Sequence, residues 1–141
     1  QCCTSNPMNE IIAKSLFIQI LKGVKAIHTL GFVHKDIKPE NILIFIDNYN
    51  RNKKYTKLAD YFTKTNTKFP FRAKVADFGF ATRVSSSNTF SNLPKEKMKE
   101  FHKRVSDRCG TPGFWAPELV SKMLELKFAF KLDIFSCGVT L

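Results

Sequence analysis

The sequence predicts an α+β fold, mostly helical with short β segments, and three stretches carry that prediction. Ile12, Leu16, Ile20, Val24 and Ile27 recur at helical spacing, with Phe17 and Leu21 widening the stripe, so one long helix opens the patterned part of the chain. Ile42-Leu43-Ile44-Phe45-Ile46 is an apolar run of strand length. Lys74-Val75-Ala76 reads as a second strand, leading into an acid and a glycine hinge at Asp77-Phe78-Gly79. With 141 residues and 43% hydrophobic content, the chain can bury a real core.

The elements follow in order. Asn6-Pro7 is a good helix entry, a capping amide followed by proline at the first helical position. Gly31 is placed to end that helix in the left-handed conformation, and His28, near the end, is expected to pack or cap rather than to catalyse. Phe32-Val33 then leads into a proline-stiffened turn, His34-Lys35-Asp36-Ile37-Lys38-Pro39-Glu40-Asn41. After Gly79 comes a polar stretch holding Ser85-Ser86-Ser87, Thr89 and Ser91, and a Lys/Glu-rich segment from Lys95 to Arg104 that predicts one or two helical turns. Glu118 to Met123 predicts a short helix, and Lys131 to Leu141 the start of a buried one.

The turn at 34–41 is where chemistry concentrates. Phosphoryl transfer asks a protein for a carboxylate to orient and accept a hydroxyl proton, a cation over the phosphates, and oxygen ligands for magnesium. Asp36, Lys38 and Asn41 offer one of each on a single turn. Asp77-Phe78-Gly79 and Ala116-Pro117-Glu118 follow downstream in that order. On these motifs the chain resembles a eukaryotic-type serine/threonine protein kinase. The fold this implies is protein kinase-like and partial: the mostly helical C-terminal lobe, with short β-hairpins.

The resemblance implies further roles. Asp36 would be the catalytic base, Lys38 would neutralise charge on the transferred phosphate, and Asn41 and Asp77 would hold magnesium jointly with ATP. Leu43 would lie in the floor beneath the adenine ring. Thr111 would bond to Asp36 and Lys38, and Phe114 and Trp115 would line a pocket for the residue after the acceptor. Glu118 would be structural, and Asp133 would brace the backbone at His34. Phe80, following the glycine of the hinge, goes with serine over threonine acceptors in such kinases.

The chain also departs from the family. No Gly-x-Gly-x-x-Gly loop and no nucleotide-gripping lysine strand precede the turn, so residues 1–141 are expected to be part of a kinase domain and inactive alone. Asn41 and Asp77 are much further apart than a short hairpin allows, and 47–72 is expected to be an inserted loop. That stretch contains a decoy, Lys57-Leu58-Ala59-Asp60-Tyr61-Phe62, which lacks the glycine. The activation segment, 77–118, is long. The usual His-Arg-Asp is His34-Lys35-Asp36, and lysine lacks the planar fork with which arginine grips a phosphorylated activation loop. Two regulatory readings follow from this: Asp107 pairs constitutively with Lys35, or Ser106 beside it is the phosphorylation site. Phe135 stands where such kinases usually carry tryptophan, which is a packing change.

Composition narrows the function class. A net charge of +11 raises nucleic acid and acidic proteins as partners. The basic residues are spread out, with no aromatic-interleaved stripe, so nucleic acid is not expected and a salt titration of affinity would test it. The insert holds Arg51, Lys53, Lys54, Lys57, Lys64, Lys68 and Arg72 against only Asp47 and Asp60, which suits acidic or phosphorylated protein partners. Cys2, Cys3, Cys109 and Cys137 have no zinc-site spacing and are expected to be inert thiols in a reducing, intracellular setting. No apolar run nears a membrane span. The rival function is a pseudokinase, a binding module that keeps the fold without turnover; the presence of Asp36, Asn41 and Asp77 weighs against it.

Overall fold

The computed structural model describes residues 10–46, 71–84 and 94–141. The entry at Asn6-Pro7, Cys2, Cys3, the decoy with Asp60, and the serines of 85–91 lie outside the described residues.

Helix α1 (Glu10–Thr29) buries Leu16, Ile20 and Val24, one residue per turn along the stripe. Gly31 follows it at φ 78°, the left-handed region that glycine enters without a Cβ penalty. β1 (Phe32–Val33) pairs antiparallel with β4 (Thr82–Arg83), and β2 (Ile42–Ile46) pairs antiparallel with β3 (Phe71–Val75). Phe71 and Arg72, expected at the end of an insert, are strand residues, paired with Ile46 and Phe45. Alternation across the hairpin gave no signal to place them there, because the partner strand is apolar at every position.

α2 (Lys95–Ser106) also corrects the expectation. It has 12 residues, three turns rather than one or two. Its mean composition is strongly polar, but Val105 is fully buried and anchors its last turn. α3 (Pro117–Val120) and α4 (Lys131–Thr140) complete the chain, the latter burying Leu132, Asp133, Ser136 and Cys137 on one face. Ile134 and Phe135 on its other side are half exposed.

Two apolar clusters fix the turn at 34–41. One gathers Val33, Val84, Val105, Ala116, Leu119, Leu124, Ala129 and Leu132. The other gathers Ile20, Val24, Ile37 and Cys137, with Ile42 and Val75 packed on it. Val33 and Ile37 are fully buried, each in a different cluster, so His34-Lys35-Asp36 is pinned at both ends. Burying a side chain of that size is worth about 1.5–3 kcal/mol, enough to hold a short polar turn that propensity alone would not order. Among the described residues no helix is long and apolar enough to cross a membrane.

Candidate active site

The turn begins on a buried carboxylate. Asp133, on α4, has no solvent exposure; its Oδ2 accepts from the His34 amide and its Oδ1 from the Lys35 amide, each at 2.8 Å. The expected brace is thus present. His28 Nε2 adds a third contact to Asp133 Oδ2 at 2.8 Å, so His28 packs against the brace and takes no part in the site. One turn further along α4, Ser136 Oγ donates to the Phe114 carbonyl at 2.8 Å. A single helix therefore positions both the turn at 34–41 and the 110–118 segment.

His34 is fixed as one tautomer. Its Nε2 donates to the Ala76 carbonyl at 3.0 Å, which leaves Nδ1 to accept from the Asp36 amide at 3.3 Å. The ring meets Phe78 edge-on at 5.1 Å, tying the glycine-hinge turn to the turn at 34–41.

Asp36 is 4% exposed and its carboxylate is shared by three side chains. Oδ1 accepts from Thr111 Oγ1 at 2.9 Å; Oδ2 accepts from Asn41 Nδ2 at 2.9 Å and meets Lys38 Nζ at 3.0 Å. Burial alone would push the carboxyl up. The hydrogen bonds from Lys38, Thr111 and Asn41, with the charge of Lys38, outweigh it and hold Asp36 below its ordinary value. Lys38 Nζ also donates to Thr111 Oγ1 at 2.7 Å, closing a ring of Asp36, Lys38 and Thr111.

Asn41 spends its amide hydrogens on Asp36, at the side chain and at the backbone carbonyl 2.8 Å away, so its Oδ1 is the atom left to ligate a cation. The β2–β3 register then decides what lies near it. Ile42 faces Val75, and the Ala76 amide donates to the Asn41 carbonyl at 2.9 Å, which brings Asp77 to the mouth of the turn. Asp77 is exposed at φ 62°, with Oδ1 accepting from the Gly79 amide at 3.1 Å. Hard oxygens from one amide and one carboxylate suit magnesium, which keeps waters and nucleotide phosphates for its other positions. Leu43 is half exposed on the hairpin, an apolar surface on which a planar ring can rest.

The 110–118 segment holds its position by sterics. Gly110 adopts φ 82°, and a Cβ there would collide with the Lys35 carbonyl and crowd Asp36. Phe114 is half buried. Trp115 packs on the first apolar cluster and its Nε1 donates to the Cys109 carbonyl at 2.9 Å, which ties it to the core. Burial, with the nearby Asp133 charge, pushes the Cys137 thiol up to about 11, so it is inert as expected.

One expected contact is absent. No ion pair joins Lys35 and Asp107 among the described residues; Lys35 Nζ donates instead to the Arg104 carbonyl at 2.7 Å. Asp107 is exposed and sits at the end of α2, its amide on the Lys103 carbonyl. Ser106 Oγ lies 3.4 Å from His102 Nδ1. Sequence reasoning also missed Gln19, whose amide bridges α1 to the edge of β3 by donating to the Phe71 carbonyl at 3.1 Å and accepting from the Ala73 amide at 3.0 Å. A lone glutamine in a helical stripe carries no signal of that kind.

A family profile described as the protein kinase domain matches residues 2–141. The chain belongs to the protein kinase domain family. It is 33% identical over 129 residues to the DNA damage response protein kinase DUN1 of Saccharomyces cerevisiae, covering 92% of this chain and 21% of that protein. It is 33% identical over 141 residues to the serine/threonine-protein kinase ELM1 of the same yeast, covering 97% of this chain and 18% of that protein. With the serine/threonine-protein kinase chk1 of Schizosaccharomyces pombe it shares 28% identity over 134 residues, 95% of this chain and 19% of that protein. The chain thus spans about a fifth of the length of these relatives.

Proposed function

We propose that this chain supplies the catalytic centre of a serine/threonine protein kinase, which transfers the γ-phosphate of ATP to a protein hydroxyl. The observation that carries the proposal is the Asp36 carboxylate, buried, held in its charged form, and flanked by a lysine, an amide and a hydroxyl. Asp36 Oδ1 already accepts a hydrogen bond from an aliphatic hydroxyl, that of Thr111, so the same oxygen pair is suited to orient an acceptor hydroxyl and take its proton. Lys38 places a positive charge beside that carboxylate. Asn41 Oδ1 and Asp77 would hold magnesium, which when bound with ATP neutralises charge on the phosphates. Leu43 would support the adenine, and Phe114, with its carbonyl fixed by Ser136, would receive the residue after the acceptor.

Residues 1–141 are in this reading the middle of the domain's larger lobe, with 47–70 an insert in the β2–β3 hairpin and 77–118 the activation segment. The phosphate-covering loop is then supplied by the rest of the protein, and purified residues 1–141 are expected to transfer no phosphate. In the intact protein, Asp77→Asn is expected to abolish transfer, and Asp60→Asn in the decoy to leave it within about twofold, since only the former removes a magnesium ligand. The reverse pattern would show that the metal ligand has been misassigned. Phe80 after the hinge points to serine acceptors, and a peptide pair differing only in serine against threonine checks it; a threonine preference would sink it.

A further inference from the structure

Lys35 joins helix α2 to the catalytic turn through a backbone carbonyl. We infer that this contact makes Lys35 a positioning residue that seats the activation segment for catalysis without a phosphate, a role that presupposes the phosphotransfer function proposed above.

A lysine in a loop is ordinarily solvated, but Lys35 is 6% exposed. Its backbone is held at its amide and its carbonyl, in a left-handed conformation. The amide donates to Asp133 Oδ1 at 2.8 Å, the carbonyl lies against Gly110, and φ is 70°, a conformation a residue with a Cβ holds only where its surroundings impose it. From that fixed base the side chain reaches the Arg104 carbonyl at 2.7 Å.

The acceptor is chemically apt. Arg104 lies in the last turn of α2, where carbonyls lack an amide partner within the helix. The macrodipole adds partial negative charge at that end, so a buried ammonium finds there a partner that needs no modification to exist. The Arg104 guanidinium does not compete, being held by Glu100 at 2.7 Å on the outer face. α2 is seated by two further contacts, fully buried Val105 in the first apolar cluster and His102 Nε2, which donates to the Leu124 carbonyl at 2.8 Å. Both work without a phosphate too.

The consequence runs directly to the site. Lys35 precedes Asp36, its carbonyl abuts Gly110, and Thr111 follows Gly110 with its hydroxyl on Asp36. Holding α2 at Lys35 therefore holds Cys109 to Thr111 in the place where Thr111 completes the ring around the carboxylate. A cavity of about 510 Å³ beside Lys35, lined also by Arg83, Arg104 and Asp107, is where an anion could compete for the ammonium. That competition defines the opposing outcome.

The test uses the intact protein after phosphatase treatment, as wild type, Lys35→Met and Lys35→Arg. It measures kcat, KM for ATP, and hydrogen exchange of the Asp107 amide that caps α2. The treated wild type is expected to keep its activity within about threefold. Lys35→Met is expected to lower kcat and to speed exchange at Asp107, each about tenfold, with KM for ATP unchanged, because a charged-donor hydrogen bond is lost. Lys35→Arg keeps a cationic donor and is expected to restore most of both, which a variant that merely misfolds would not show. Loss of wild-type activity on phosphatase treatment overturns the inference, as does a Lys35→Met protein with unchanged kcat and exchange. If no form transfers phosphate even before treatment, the proposed function has failed, and the exchange result alone then decides whether Lys35 seats α2.

Discussion

Two aspartates of the site sit a few residues from a strand, and the fold treats them in opposite ways. Asp36 is buried between two apolar clusters and receives hydrogen bonds from three side chains that arrive from the turn itself and from the 110–118 segment. Asp77 is exposed, and among the described residues its carboxylate accepts from the amide two residues on. The first is assembled by long-range folding, so its charge state and orientation are set before anything binds. The second is presented by a local turn and is free to meet a ligand. A base must be preorganised to act on a proton, whereas a metal ligand needs only to be in reach, so the contrast matches the two roles proposed for them.

The largest effect should come from the preorganised member. Asp36→Asn keeps the shape but removes the charge that Lys38 and Thr111 address, and in the intact protein it is expected to lower kcat about 10²–10⁴-fold, the range for a positioned acid–base group. Single-turnover assays would check it. A variant with wild-type turnover would break the comparison, since Asp36 would then be no more than a structural acid.

Next comes the brace. Asp133→Ala leaves the His34 and Lys35 amides buried without acceptors, and each such group costs about 1–3 kcal/mol, so a total loss of about 2–6 kcal/mol is expected in denaturant unfolding. The matching change at the exposed turn, Asp77→Asn, should alter stability by no more than about 0.5 kcal/mol, as surface substitutions do.

Thr111→Val sharpens the electrostatic side. Folding holds the Asp36 carboxyl below its ordinary value of 3.8, so its contribution to stability is complete above that pH and is lost as pH falls through the lower folded-state value. Valine removes one of the hydrogen bonds that hold the carboxyl down. The acid limb of unfolding, followed by circular dichroism, is therefore expected to begin at higher pH, with a stability loss of about 1 kcal/mol near neutrality. An unmoved acid limb would mean that Lys38 and Asn41 alone set the charge state.

How much of this was legible depended on the range of each contact. The helix of 10–29, the strand at 42–46 and the turn at 34–41 were all visible, because periodicity and a dense motif are local signals. The resemblance also supplied Asp133 as the brace, a contact that spans about a hundred residues and that no pattern within the chain announces. What stayed hidden were contacts made by backbone or by unremarkable side chains: Gln19 on β3, His102 on the Leu124 carbonyl, and three full turns of α2 inside a Lys/Glu-rich stretch. Val105 is the one buried residue that seats α2, and a single valine among charges has no period to detect.

Asp107, whose expected pair with Lys35 is not seen among the described residues, yields the smallest predicted effect. Sequence reasoning looks for a charge to match a charge, and Asp107, three residues before Gly110, takes the place where the resemblance puts a phosphorylated threonine. The structure satisfies Lys35 with a carbonyl that belongs to no particular side chain, so the residue type at 107 is not what holds the lysine. Asp107 is exposed, and its recorded contacts in the α2 cap are made by its backbone, its amide on the Lys103 carbonyl and its carbonyl accepting from the Cys109 amide. An alanine keeps both, so Asp107→Ala is expected to change stability by no more than about 0.5 kcal/mol. Activity of the intact protein after phosphatase treatment should fall by less than about fivefold, since an ion pair made by an exposed carboxylate contributes about 0–1 kcal/mol. A tenfold fall would show that the carboxylate does engage Lys35 in the working enzyme. The acid, and not the helix carbonyl, would then be the anchor.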